Sequence, residues 1–186
     1  MPVFQLQLGL EAEGVSSVVH TNPVWIIQFR CTKCNEEQDS PTAIDTSDSV
    51  EIEGALGSRG TAHLQQKCSF CGCKFNATLG AAREWAEAGG LDSQTLVDIE
   101  CRGCEPVSWV AAQGFTVKGA EGGEMEDVDF SEGEWADYVE DTDEALTVLS
   151  VTTSVEAGAS AGTAAAAAAG GGGASGGKKK KKRGGK

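Results

Sequence analysis

The chain has 186 residues and carries 15 Lys plus Arg against 28 Asp plus Glu, a formal net charge of -13, which leaves room for one domain or two small ones. A bilayer-spanning helix is excluded: the one long uncharged stretch, Ala157 to Gly177, is Ala, Gly, Ser and Thr rather than the ~18 or more strongly apolar residues required. Seven cysteines are too few for a disulfide scaffold and odd in number, and six of them form three CxxC pairs, which favours metal or redox chemistry over crosslinks.

Met1-Pro2-Val3-Phe4-Gln5 has no basic leader, and Glu11 and Glu13 precede any Lys or Arg, so no secretory signal is expected and a reducing, cytoplasmic setting is. From Phe4 the dominant period is two. Phe4, Leu6, Leu8, Leu10 and Ala12 alternate with Gln5, Gln7, Gly9, Glu11 and Glu13, the pattern of a half-buried strand. Further strands are predicted over Val24 to Arg30, Ser49 to Gly54, Thr61 to Lys67, Cys73 to Leu79, Thr95 to Cys101, Val107 to Ala111, Gly114 to Lys118 and Ala145 to Val151. Asn22-Pro23, Gly72, Gly89-Gly90 and Gly122-Gly123 are among the turn formers between them. Only Ala81 to Ala88 reads as a helix, a short one. The acidic stretch Glu121 to Glu144 reads as a solvated face anchored by Trp135 and Tyr138.

After Glu156 there are no acids, and seven of the 15 basic residues, Lys178 to Lys182, Arg183 and Lys186, stand at the end; residues 1–177 therefore hold 8 basic against 28 acidic residues. From Ala157 onward no side chain larger than Thr is uncharged, so burial cannot offset ~1–2 kcal/mol of backbone entropy per ordered residue. The expected organisation is a β-rich zinc-binding domain over residues 1–156 and a disordered Ala/Gly-rich and Lys-rich tail over 157–186. The expected fold is mainly β: antiparallel hairpins or a sandwich of two similar halves, few short helices, and a zinc-ribbon-like site of four cysteines.

The halves are suggested by a repeated strand-then-CxxC form, ending in Cys31-Thr32-Lys33-Cys34, Cys68-Ser69-Phe70-Cys71 and Cys101-Arg102-Gly103-Cys104. A metal knuckle turns the chain so that two thiolates face one ion, and the residue after the second Cys needs a positive φ, which Gly and Asn adopt at least cost. Asn35 and Gly72 meet that need. The third pair is followed by Glu105-Pro106, where Pro restricts Glu105 to extended backbone. The metal is accordingly assigned to Cys31, Cys34, Cys68 and Cys71, four soft thiolates suited to tetrahedral Zn2+ with every position filled. Closing the 33 residues between Cys34 and Cys68, rather than ~15, costs near ~0.7 kcal/mol, small beside the ~10–16 kcal/mol of structural zinc. A redox dithiol is the rival for these pairs, but no periodic helix follows either one. For Cys101 and Cys104, reduced core thiols are favoured and a second metal or thiol role is the rival. Cys73 shares the apolar parity of Phe75 and Ala77 and reads as a small buried hydrophobe.

His20 and His63 lack ligand-spaced partners. No HExxH, GxSxG or GxxxxGK[ST] occurs, and the acidic stretch lacks the order of an EF-hand. Lys178 to Arg183 is a candidate nuclear-import signal or a weak, non-specific contact for nucleic acid, which the acidic body opposes.

Several separated motifs resemble the eukaryotic CXXC-motif-containing zinc-binding protein family: Cys31-Thr32-Lys33-Cys34, Ser58-Arg59-Gly60-Thr61-Ala62 with Gln66-Lys67-Cys68-Ser69-Phe70-Cys71, Glu100-Cys101-Arg102-Gly103 with Glu105-Pro106-Val107, Gly114-Phe115, and Glu134-Trp135-Ala136-Asp137-Tyr138. The resemblance spans the opening strand to about Val151. It implies a β-rich fold with one zinc held by the first two pairs and no established enzymatic activity. The Ala/Gly spacer and Lys tail depart from the family. The function expected is that of a non-enzymatic soluble zinc-binding protein with a protein partner; the rival is a thiol- or metal-handling protein using Cys101 and Cys104.

Overall fold

A computed structural model describes residues 1–53, 59–87 and 93–158. The chain is mainly antiparallel β, with no α-helix among the described residues. The largest sheet has six strands in the order β14 (Trp135–Val139), β15 (Glu144–Ala157), β1 (Val3–Glu13), β10 (Gln94–Arg102), β8 (Lys74–Leu79) and β7 (Leu64–Lys67). A four-stranded sheet runs β13 (Glu124–Val128), β12 (Phe115–Gly119), β2 (Val15–His20) and β9 (Glu84–Ala86). A third sheet joins β11 (Cys104–Val110), β3 (Val24–Cys31) and β4 (Thr42–Asp45), and β5 (Val50–Glu53) pairs with β6 (Arg59–Ala62).

The alternation that predicts β1 holds on its apolar face, where Leu6, Leu8 and Leu10 are buried. Its other face is covered too. Gln7 is buried, and the indole N–H of Trp109 donates to Gln7 O and Ser154 O, both at 3.2 Å. Strand β1 thus lies between sheets, paired with β10 on one side and with β15 from Phe4↔Ala157 to Glu13↔Thr147 on the other. Strand β15 is longer than the predicted Ala145 to Val151, because its Thr- and Ser-rich second half gains a full ladder on β1. Ala157 and Gly158, assigned from sequence to the tail, belong to this ladder: Gly158 N–H donates to Val3 O at 2.8 Å. Residues 159–186 lie outside the described residues.

Aromatic rings tie the sheets together in a chain: Trp109 to Trp25 at 5.6 Å, Trp25 to His20 at 4.3 Å, His20 to Phe115 at 4.7 Å, Phe115 to Phe130 at 4.9 Å and Phe130 to Trp135 at 6.4 Å. Burial pushes the His20 imidazole down to about 4, against a backbone hydrogen bond with Gln113 that favours the cation, so His20 is a neutral core group.

The predicted helix is corrected. Glu84–Ala86 is a strand paired to β2, and its centre, Trp85, is wholly buried opposite Val18. The Ala and Glu residues around it favour a helix, but a lone large apolar residue cannot supply a helical stripe, and burying it in the sheet decides the outcome. Ala88, the Gly89-Gly90 turn and Gly54 lie outside the described residues. The acidic stretch does present a solvated face, its acids exposed except Glu144, but it is also built into two strands that the sequence did not predict. It forms β13 and β14, with Trp135 half-buried, whereas Tyr138 is 49% exposed and its hydroxyl donates to Asp143 rather than packing on the sheet. Glu144, counted from sequence among the solvated acids, is buried and accepts the N–H of Glu121 at 2.9 Å and of Gly123 at 3.1 Å, closing the β12–β13 hairpin.

Candidate metal centre

The two knuckles are built alike. Cys31 closes β3, and its carbonyl accepts the N–H of Asn35 while its own N–H reaches Glu36 O, each at 2.9 Å. Cys68 follows β7, and its carbonyl accepts the N–H of Gly72 while its N–H reaches Cys73 O, again at 2.9 Å. Both turns reverse through the left-handed region, at φ 61° for Asn35 and 70° for Gly72, as the residue types following each pair predict. The second knuckle is the turn of the β7–β8 hairpin; the first is held by the Arg30↔Glu37 bridge.

These turns aim backbone N–H groups at sulfur. Cys31 Sγ accepts from Cys34 and Lys33, and Cys68 Sγ from Cys71 and Phe70; Cys34 Sγ accepts from Glu36 and Cys71 Sγ from Cys73. All six donors favour thiolates. In the first Cys of each pair they win: the Cys34 N–H chiefly, opposed by burial, holds Cys31 below the usual thiol range, and the Cys71 N–H with the Gln38 amide brings Cys68 down to about 6. At Cys34 the Glu36 N–H is outweighed by burial and by the Cys68 sulfur, so its thiol is raised; at Cys71 the Cys73 N–H is outweighed by burial and the neighbouring sulfurs, which push it up to about 12. Like-charged thiolates at this range need a cation.

The four sulfurs lie within 4.8 Å of one another, with Cys31 Sγ to Cys71 Sγ at 3.7 Å and Cys34 Sγ to Cys68 Sγ at 3.6 Å. A tetrahedron with Zn–S arms of ~2.3 Å has edges of ~3.8 Å, and a disulfide bond is ~2.05 Å. The spacing fits an ion and not a crosslink. Cys31 and Cys68 are buried, Cys34 and Cys71 half-buried, so the site sits at the rim of the core. The chemistry of the donor set, four soft sulfurs braced by N–H groups, suits zinc.

Sequence reasoning missed Gln38. It is 5% exposed and links the knuckles: its Nε2 donates to Cys68 Sγ at 3.5 Å, its Oε1 accepts the Ser69 N–H at 3.2 Å, and its N–H donates to Phe29 O at 2.9 Å. A glutamine four residues past a CxxC carries no motif signal; only the chain reversal brings it back. Residues that orient ligands in this way cost ~10–100-fold in metal affinity when removed. Gln38→Ala is therefore expected to lower zinc affinity by at least ~10-fold in a competition titration with a chromogenic chelator.

The third pair stands apart. Cys101 lies in β10 and Cys104 in β11, both wholly buried, and Cys104 pairs across strands with Cys31. Its left-handed residue is Gly103 inside the pair, at φ 80°, so the turn is a strand corner and no knuckle. The Cys104 sulfur, and then burial, push the Cys101 thiol far up, the state of reduced core thiols. Gly103 nevertheless serves the site: its carbonyl accepts the Thr32 N–H of the first knuckle at 3.2 Å, and a Cβ added to it would crowd Lys74 O and Phe75 Cβ behind the second. Cys73 is half-buried, not fully, and its sulfur receives the Lys33 ammonium, which is raised by that contact and by the charge of the neighbouring sulfurs. His63 is structural: its Nδ1 accepts the Leu79 N–H at 3.1 Å.

Comparison with known proteins agrees. The family described as "CXXC motif containing zinc binding protein, eukaryotic" matches residues 5–156. Proteins of that name from Rattus norvegicus and Homo sapiens are each 30% identical over 152 residues, covering 79% of this chain and 93% of the relative. The crystal structure of C1orf123 superposes with a TM-score of 0.76 at 26% identity, covering 83% of this chain and 99% of that one. The chain belongs to the eukaryotic family of CXXC motif containing zinc binding proteins.

Proposed function

We propose that Cys31, Cys34, Cys68 and Cys71 hold one Zn2+ as a structural tie between β3 and the β7–β8 hairpin, and that the protein is a non-enzymatic, cytoplasmic scaffold that works by binding another protein. The observation that carries this is the closed set of four sulfurs. With every coordination position filled by a thiolate, none remains for water or substrate, the arrangement of structural zinc rather than catalytic zinc. The names of the relatives support the metal. The rival, thiol or metal handling through Cys101 and Cys104, needs accessible, acidic thiols, and these two are buried with Cys101 raised.

Native mass spectrometry of the tag-free chain, run with iodoacetamide labelling, tests the reading. One zinc per chain is expected, with Cys101 and Cys104 unlabelled until chelation. A chain that carries no zinc, or that is alkylated at Cys101 and Cys104 while the ion is bound, contradicts it.

A further inference from the structure

The few cations of the acidic body gather at the zinc end of the six-stranded sheet. Lys67 and Lys74 stand directly opposite each other in the β7–β8 ladder, and Arg102 is opposite Asn76, so Lys67, Lys74 and Arg102 share the exposed face of three adjacent strands. Like charges facing across strands cost stability. None of the three is ion-paired: among the described residues the ion pairs are Arg30–Glu37 and Arg83–Asp98. Lys74 and Arg102 line a groove of about 540 Å³ with Gln65, Asn76 and Glu51. In the turn between Lys67 and Lys74 the tip of the second knuckle holds out Phe70, 54% exposed.

The chain also leaves the described residues at this end. Gly158 bonds to Val3, which faces Glu100 in β10, two residues before Arg102.

The geometry points to this face as the docking site for an acidic segment of a partner protein, an extended run of Asp and Glu that also offers an apolar side chain to Phe70. The inference rests on the reading of the chain as a zinc protein acting through a protein partner, and names the surface it uses. Arg102 and Lys74 take carboxylates, the Gln65 and Asn76 amides take backbone groups, and Phe70 takes the apolar residue. A nucleic acid fits less well. Its phosphates continue past the groove onto a body with 28 acids against 8 bases, and Phe70 is one stacking surface where single strands use several.

The test is a titration of the full-length, zinc-loaded, 15N-labelled chain with a synthetic peptide of four Glu-Leu-Glu repeats, followed by NMR. Shifts at Phe70, Lys74 and Arg102 are expected, besides any at Lys178 to Arg183. Lys74→Glu with Arg102→Glu is expected to weaken binding at least ~10-fold, and Phe70→Ser to weaken this peptide while leaving poly-glutamate binding unchanged. Shifts confined to residues 178–183, no shifts, undiminished binding in the double variant, or tighter binding of a single-stranded oligonucleotide at the same residues overturns the proposal. Zinc is measured on every sample. Failed binding with zinc present counts against the surface alone, and absent zinc counts against the metal reading.

Discussion

Cys68→Ser is expected to yield a chain without bound zinc whose knuckle region no longer melts cooperatively. Cys68 is 2% exposed and receives the densest set of donors in the site, from Cys71, Phe70 and Gln38. A serine there offers a hard, protonated oxygen where the ion needs a soft thiolate. Structural zinc contributes an apparent ~10–16 kcal/mol, whereas a whole domain is stable by only ~5–15 kcal/mol, so loss of the ion exceeds what the rest of the fold can absorb. The parts affected are those the two knuckles join: β3, the β7–β8 hairpin and the Phe29–Phe75 contact at 5.9 Å behind them. Circular dichroism melts of variant and wild type, with and without chelator, check this. Wild type with chelator should resemble the variant, and added zinc should rescue only the wild type. A variant that keeps its zinc and melts at the wild-type temperature rules out Cys68 as a ligand.

Gly103→Ala is expected to destabilise more than Gly72→Ala, although both glycines have positive φ, 80° and 70°. At Gly72 an added Cβ meets nothing within 4 Å, so only the conformational cost of about 1–2 kcal/mol applies. At Gly103 it lies 3.1 Å from Lys74 O and 3.3 Å from Phe75 Cβ, against backbone that cannot give way without moving the second knuckle. The expected loss there exceeds about 2 kcal/mol, with a fall in zinc affinity that Gly72→Ala does not share. Gly72→Asn should be close to neutral, because Asn35 occupies the equivalent place in the first knuckle. Equal melting temperatures and zinc affinities for Gly103→Ala and Gly72→Ala would remove Gly103 from its role as the wedge behind the site.

The site was more legible in the sequence than the fold around it. A knuckle is a local object: two cysteines and a following Asn or Gly declare it within five residues, and Glu105-Pro106 declares that the third pair is something else. What lies between knuckles depends on contacts distant in sequence. Gln38 is silent until the chain reverses through Asn35, and Gly103 is an ordinary turn glycine until Thr32 and Lys74 close on it from either side. The strands that sequence reading left out were hidden for separate physical reasons. In β2, Val15-Ser16-Ser17-Val18-Val19-His20 breaks period two, yet both flanking strands bury it. β13 and β14 stand at sheet edges, where most of their side chains face solvent and acids are tolerated. In β9 a single residue, Trp85, supplies the burial that local propensity opposes.

The most direct measurement is zinc K-edge X-ray absorption of the protein purified under reducing conditions. Four sulfur scatterers at ~2.3 Å are predicted, one from each of the cysteines at 31, 34, 68 and 71. A first shell containing nitrogen or oxygen, or fewer than four sulfurs, contradicts the account.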